Sequence, residues 1–173
     1  RLNYKLLKGS LDQVVTGICF DSRKVASGDV FVCIRGAVFD SHNALAQIDT
    51  GCPALIIVDE SYVLDLSDIN STVVATPDTR HAKAVVSAAF YDYPAEKLKM
   101  VGVTGSKGKT TVATMITAAL REAGKKAASI GSNGVNLGDE ILEVANTTPD
   151  SDQMQKFLSI MVSKGIEYAV LEC

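Results

Sequence analysis

The feature that most constrains the fold is a glycine-rich segment, VGVTGSKGKTT, at residues 101–111. It places an apolar run, a short loop and the start of a helical pattern in immediate succession. A strand that enters a helix through such a loop aims unpaired backbone N–H groups and the positive end of the helix dipole at one point. Glycine lets the backbone close around phosphate oxygens where a Cβ would intrude. The segment therefore predicts a phosphate-binding loop on an α/β scaffold.

The side chains of this loop suit a nucleoside triphosphate. Lys109 is placed to reach the outer phosphates, and the Thr110 hydroxyl is placed to hold Mg²⁺. Position 103 carries Val103 where the longest form of this motif has glycine, whereas the shorter form T-G-x-x-G-K-[ST]-[ST] fits without a gap. A tight turn with solvated lysines is the alternative interpretation. The predicted ATP-binding residues are Gly105, Ser106, Lys107, Gly108, Lys109, Thr110 and Thr111.

Apolar residues at helical spacing predict three helices, within residues 82–90, 112–120 and 154–162. Each pattern is flanked by residues typical of helix ends. The predicted capping residues are Asp78 for the first helix, Gly124 for the second, and Thr148, Pro149 and Gly165 for the third.

Short apolar runs rich in β-branched residues predict strands between these helices. The predicted strands are residues 17–20, 30–34, 54–58, 72–75, 100–103, 127–130 and 168–171. Strand and helix alternate from Val101 onward, which favours a parallel, doubly wound sheet there. The first part mixes strands with two helices. A proline-containing stretch at 93–97 follows a helix and precedes a strand, so we predict one α/β domain at 1–96 and a second, incomplete one at 97–173.

Composition excludes several classes of protein. The formal net charge is −3 and no long basic run is present, so nucleic-acid binding through phosphates is not expected. The four cysteines form no CxxC pair, which argues against a disulfide framework or a zinc site. The sequence contains neither a signal segment nor an apolar run long enough to span a membrane. We therefore expect a cytoplasmic protein. The chain starts at Arg1 and stops just after an apolar run, and we expect a piece of a longer protein.

Three motifs in the second half resemble the Mur ligase family. TGSKGKTT at 104–111 resembles that family's ATP loop, with Ser106-Lys107 where Thr-Asn is common. NTTPD at 146–150 resembles a stretch typical of the family members that add the third amino acid. VLE at 170–172 resembles a strand that ends in a metal-binding glutamate.

The first half resembles the uridine-nucleotide-binding domain of the same family. The similar segments are FDSR at 20–23, GDVFV at 28–32, Gly36, and DSH at 40–42. The resemblance implies that Phe20, Ser22, Ala37, Val38 and Phe39 contact the nucleotide, and it makes His42 a candidate contact with a surface or capping role as the alternative.

The resemblance further implies substrate contacts by Asn146, Thr147 and Thr148, metal binding by Thr110 and Glu172, and a catalytic role for Lys109. Helix capping by the two threonines and a solvated terminal Glu172 are the alternatives. The implied enzyme has three domains, of which this chain would hold the first and part of the second.

The implied reaction is an ATP-dependent amide ligation in peptidoglycan precursor synthesis. ATP would phosphorylate the terminal carboxylate of UDP-MurNAc-L-Ala-D-Glu, and the amine of diaminopimelate or lysine would attack the acyl phosphate. Mg²⁺ would offset the gathered negative charge. We expect a monomer, with no nucleic-acid or membrane partner, and no amide formation by these 173 residues alone.

Other functions fit parts of the same pattern. Another Mur-type or folylpolyglutamate-type ligase would share the ATP loop with different acceptors. A kinase or switch NTPase would need a second acidic motif and would lack the first domain. A non-catalytic nucleotide-binding module is the remaining alternative.

Overall fold

The computed structural model describes residues 2–144 and 148–173 of the chain. The chain divides into two compact units, Arg1–Phe90 and Tyr91–Cys173. Within the described residues, no helix is long and apolar enough to cross a bilayer.

The described strands of the first unit are β1 (Lys5–Lys8), β2 (Gly17–Cys19), β3 (Asp29–Val32), β4 (Leu55–Asp59) and β5 (Thr72–Thr76). They form a five-stranded mixed sheet with the order β1-β5-β4-β3-β2. Strand β1 runs antiparallel to β5, and the other neighbouring pairs are parallel.

Helices cover both faces of this sheet. A core that includes Phe31 and Ile56 packs against α1 (Leu45–Thr50), and a second core that includes Val30 and Val32 packs against α2 (Thr79–Phe90). Because successive strand residues point to opposite faces, the two helices lie on opposite sides. The predicted cap of α2 is confirmed, since Asp78 Oδ1 accepts a hydrogen bond from the His81 N–H at 2.9 Å.

A buried carboxylate ties α1 to the start of β5. Asp49 accepts hydrogen bonds from the Ser71 N–H at 2.8 Å, the Ser71 hydroxyl at 2.6 Å and the Asn70 N–H at 3.0 Å. Burial raises the pKa of the Asp49 carboxyl, but the hydrogen bonds from Ser71 and Asn70 outweigh it, so the pKa lies below its usual range.

Acid is therefore expected to weaken this unit through Asp49. The unfolded carboxyl has a pKa of about 3.9, so its stabilising contribution is complete above that pH and is lost as the pH falls through the lower folded value. We expect Asp49→Asn to lower the urea midpoint of unfolding at about pH 5.5. We also expect the urea midpoint of this variant to fall less between about pH 5.5 and about pH 3 than that of the unaltered chain. The exposed Asp68→Asn is the matched control. An unchanged acid loss in Asp49→Asn would contradict this assignment.

The described strands of the second unit are β6 (Lys99–Val103), β7 (Ala127–Gly131), β8 (Gly134–Asn136), β9 (Ile141–Leu142) and β10 (Tyr168–Glu172). They form a mixed sheet with the order β6-β10-β7-β8-β9. The three predicted strands β6, β10 and β7 are parallel, as expected. Strands β8 and β9, which were not predicted, extend the sheet after β7 as a short antiparallel meander.

Two helices sandwich the parallel part of this sheet. Helix α3 (Lys109–Glu122) packs on the face that carries Val103 and Val170, and α4 (Ser151–Ser163) packs on the face that carries Ala169. Since Val170 and Ala169 point in opposite directions along β10, the sheet is doubly wound here as predicted. The predicted α/β fold class is thus confirmed.

The ends of the helices differ in part from the expected ones. Gly124 and Gly165 follow α3 and α4 with φ of 74° and 70°, as expected of glycines that end helices. The expectation that Thr148 and Pro149 begin α4 is wrong. That helix begins at Ser151 after Asp150. The Thr148 hydroxyl donates to the Glu172 carbonyl at 3.3 Å.

A 3₁₀ turn at Pro94–Lys97 packs against α4 of the second unit. The two compact units divide at the end of α2. The domain bounds of 1–96 and 97–173 stay a prediction.

Candidate phosphate-binding site

The glycine-rich segment lies at the carboxyl end of β6, as the sequence predicts. The loop leaves β6 after Val103 and enters α3 at Lys109. Gly108 immediately precedes the helix with φ of 77°, and nothing lies within 4 Å of the position where a Cβ would stand. Glycine is favoured there by its backbone conformation rather than by lack of space.

The loop presents hydrogen-bond donors on an exposed surface. Within the part of the chain that the structure describes, no backbone N–H of residues 105–111 donates to a protein acceptor, and the first helical bond runs from the Val112 N–H to the Gly108 carbonyl. The Lys109 ammonium donates to the Gly105 carbonyl at 2.9 Å and so lies over the loop. Ser106, Lys107 and Thr111 are exposed. Unpaired amides, a helix N-terminus and a lysine are the features that an anion site requires.

A buried carboxylate borders this loop on the neighbouring strand. Glu172 ends β10 in register with Val103, and it is 5% exposed. Its Oε2 accepts a hydrogen bond from the Thr110 hydroxyl at 2.9 Å. Thr148 lies at the same edge, where its hydroxyl reaches the Glu172 carbonyl. Two other predicted substrate contacts, Asn146 and Thr147, lie outside the described residues.

Thr110 and Glu172 offer oxygen ligands of the kind that Mg²⁺ prefers. Within residues 2–144 and 148–173, no lysine or arginine side chain forms an ion pair with Glu172. The same residues contain no cluster of three or more acidic, histidine or cysteine side chains. One carboxylate and one hydroxyl fit a Mg²⁺ ion that takes its other ligands from water and nucleotide phosphates.

The first unit contains a cleft of about 720 Å³. Three of the predicted nucleotide contacts, Phe20, Ser22 and Phe39, line it. Ala37 and Val38 are exposed and are not among its lining residues. The other lining residues are Asp21, Arg23, Ile34, Gly36, Ser41 and Gln47.

His42 is buried, so the surface position considered as the alternative to a nucleotide contact is wrong. Its side chain is 1% exposed and stacks on Tyr62, with ring centroids 4.0 Å apart. Nδ1 lies 2.6 Å from Asp40 Oδ1, and Nε2 accepts a hydrogen bond from the Asp59 N–H at 3.0 Å. Because both ring nitrogens are engaged, His42 joins the 3₁₀ turn at Ser41–Ala44 to the end of β4 at Asp59.

The sequence reasoning missed three positions that matter here. Ser132 lies just after β7, and its hydroxyl donates to Glu172 Oε2 at 3.3 Å. Gly131 ends β7 where a Cβ would meet Glu172 Oε1 at 1.9 Å. Their position after an apolar strand was a usable signal, because ligands gather at the carboxyl ends of parallel strands. Gln47 in the cleft had no such signal.

The fold and the loop define an α/β protein in which a strand enters a helix through a glycine loop. Residues 103–173 match the family model of the Mur ligase middle domain. Over 172 residues, 99% of this chain, it is 36% identical to a UDP-N-acetylmuramoyl-L-alanyl-D-glutamate–2,6-diaminopimelate ligase of Clostridium perfringens.

Solved structures support the fold. A UDP-N-acetylmuramoyl-L-alanyl-D-glutamate–2,6-diaminopimelate ligase superposes with a TM-score of 0.72 at 22% identity, over 92% of this chain and 32% of that one. A MurF ligase from Thermotoga maritima in complex with ADP superposes with a TM-score of 0.58 at 22% identity, over 94% and 33%. Residues 103–173 therefore carry the Mur ligase middle domain, and the chain spans 35% of the Clostridium perfringens relative.

Proposed function

We propose that this chain is the uridine-nucleotide-binding unit and part of the ATP-binding unit of a peptidoglycan-precursor ligase. The enzyme would add diaminopimelate to UDP-MurNAc-L-Ala-D-Glu. The name of the Clostridium perfringens relative supports this reaction, because that similarity extends over 99% of the chain. A cytoplasmic location and a monomeric state are parts of the proposal.

The observation that carries the proposal is the loop at residues 105–111, where unpaired amides and Lys109 face one exposed surface. In the proposed reaction a substrate carboxylate oxygen attacks the γ-phosphorus of ATP, and ADP leaves. The amine then attacks the resulting acyl phosphate, a proton is lost, and inorganic phosphate departs as the amide bond forms.

The residues of this chain would bind and orient the nucleotide. The loop amides and Lys109 would hold the outer phosphates through charge-assisted hydrogen bonds. Thr110 and Glu172 would hold Mg²⁺, which would neutralise charge that develops on the phosphates. Thr148, at the same edge, is proposed to contact substrate together with Asn146 and Thr147.

Binding of a nonhydrolysable ATP analogue tests the proposal directly. We expect saturable, Mg²⁺-dependent binding to the 173-residue chain in a calorimetric titration, with ADP competing and adenosine competing far less. Adenosine competing as well as ADP would contradict recognition through phosphates. No binding by a chain whose fold is confirmed by circular dichroism would refute the ATP-binding role.

The cleft of the first unit carries the second part of the proposal. Phe20 and Phe39 offer aromatic surface, and Ser22 offers a hydroxyl, in a volume that suits a nucleotide. We expect UDP-MurNAc-dipeptide to bind weakly to the chain. Ser22→Ala is expected to weaken that binding roughly three- to tenfold, because a net hydrogen bond contributes about 0.5–1.5 kcal/mol.

The exposed Ser67→Ala is the matched control for this experiment, since Ser67 is not among the residues lining the cleft. Equal affinities for the two variants would remove Ser22 from the nucleotide site. No heat with either variant or the unaltered, folded chain would refute binding by this cleft.

A further inference from the structure

The carboxylate of Glu172 is fixed by hydroxyl groups from two other elements. Its Oε2 accepts from Thr110, in the first turn of α3, and from Ser132, just after β7. No hydrogen bond to Oε1 is found within the described residues. The carboxylate therefore has a defined orientation, with Oε2 held between the two hydroxyls.

The backbone beside Ser132 is shaped around the same carboxylate. A Cβ on Gly131 would stand 1.9 Å from Oε1 and 2.3 Å from Cδ of Glu172, closer than any tolerated contact. Gly131 thus allows β7 to approach Glu172, and Ser132 then donates its hydrogen bond from the same strand end. The space left by Gly131 and the hydrogen bond from Ser132 together hold the Glu172 side chain in one position.

The hydroxyls of Thr110 and Ser132 would have different roles once a cation is bound. Thr110 is the residue placed to give a lone pair to the cation, whereas Ser132 contacts the carboxylate from the neighbouring strand. Partners that hydrogen-bond a ligating carboxylate orient it, and their loss commonly lowers metal affinity by about 10- to 100-fold.

We propose that Ser132 is a positioning residue that orients Glu172 for a divalent cation beside Thr110. This inference rests on the proposed ATP-binding function of the loop. It assigns Ser132 no contact with the nucleotide, so its removal should change the cation requirement and leave metal-free nucleotide binding unaltered.

Calorimetric titration of a nonhydrolysable ATP analogue at a series of Mg²⁺ concentrations tests this role. We expect Ser132→Ala to need roughly tenfold more Mg²⁺ for half-maximal binding. Ser132→Thr retains a hydroxyl and should stay near the unaltered chain. Ser163→Ala, at the end of α4, is the matched control. Mn²⁺ electron paramagnetic resonance in the presence of the analogue reports cation affinity independently.

The outcomes separate this inference from the function on which it rests. If the unaltered chain binds no nucleotide, the proposed function fails. If Glu172→Gln raises the Mg²⁺ requirement and Ser132→Ala does not, the positioning role fails while the proposed function stands. Equal weakening by Ser132→Ala with and without Mg²⁺ would also overturn it, because that result indicates damage to the loop. Thermal unfolding of each variant confirms that it is folded.

Discussion

Replacing Lys109 by alanine is expected to weaken binding of the Mg²⁺–ATP analogue by one to two orders of magnitude. The Lys109 ammonium lies 2.9 Å from the Gly105 carbonyl and therefore already stands over the loop before any phosphate arrives. A hydrogen bond to a charged group contributes about 1.5–3 kcal/mol, which corresponds to a loss of roughly 10- to 150-fold in affinity.

Calorimetric titration measures the loss, with Lys156→Ala as the matched control. Lys156 is exposed on α4, so its removal changes the net charge equally and leaves the loop untouched. Lys109→Arg retains the charge but not the shape of a compact ammonium, and we expect it to restore only part of the affinity. Affinity within twofold of the unaltered chain in Lys109→Ala would remove the lysine from the phosphate site.

Much of the fold was predictable because hydrophobic periodicity reports burial. All seven predicted strands and all three predicted helices are present, since each carries a continuous apolar face or an apolar run. The missed strands β1, β8 and β9 are two to four residues long, and β1 and β9 contain exposed positions. Helix α1 has six residues, too few for a clear period.

The candidate site was predictable where its residues are consecutive. The loop at 105–111 was recognisable because its glycines and lysine follow one another at a strand end. The position of Ser132 after an apolar strand was a signal for the site edge, but its contact with Glu172 was not predictable, since that contact depends on β10 lying between β6 and β7. His42 shows the same limit. Its burial depends on Tyr62 and Asp59, which only the folded chain brings to it.

Gly131→Ala is expected to combine a loss of stability with a loss of Mg²⁺-dependent nucleotide binding. The added Cβ would overlap Oε1, Cδ and Cγ of Glu172, at 1.9, 2.3 and 2.7 Å. Glu172 is 5% exposed and is held by hydroxyls, so it cannot swing into solvent without losing those contacts. Overpacking of this kind destabilises by about 1–3 kcal/mol, and each kcal/mol lowers the melting temperature of a domain this size by about 4–8 °C.

Gly102→Ala is the matched control for Gly131→Ala. Gly102 lies in β6, two strands away in the sheet, and its added Cβ would stand 3.7 Å from Cys173 Sγ, an ordinary contact. We expect its melting temperature and nucleotide affinity to stay near those of the unaltered chain. A similar fall in both variants would indicate a general intolerance of alanine in these strands.

A double-mutant cycle tests whether Glu172 is the cause of the expected Gly131→Ala defect. Glu172→Ala removes all three atoms that the new Cβ would meet, so Gly131→Ala should be nearly neutral for stability in that background. Nucleotide binding should not recover there, because the carboxylate itself is absent. If Gly131→Ala destabilises both backgrounds equally, Gly131 is required for a reason other than the space that Glu172 occupies. The proposal that β7 needs glycine here because it approaches Glu172 closely would then fail.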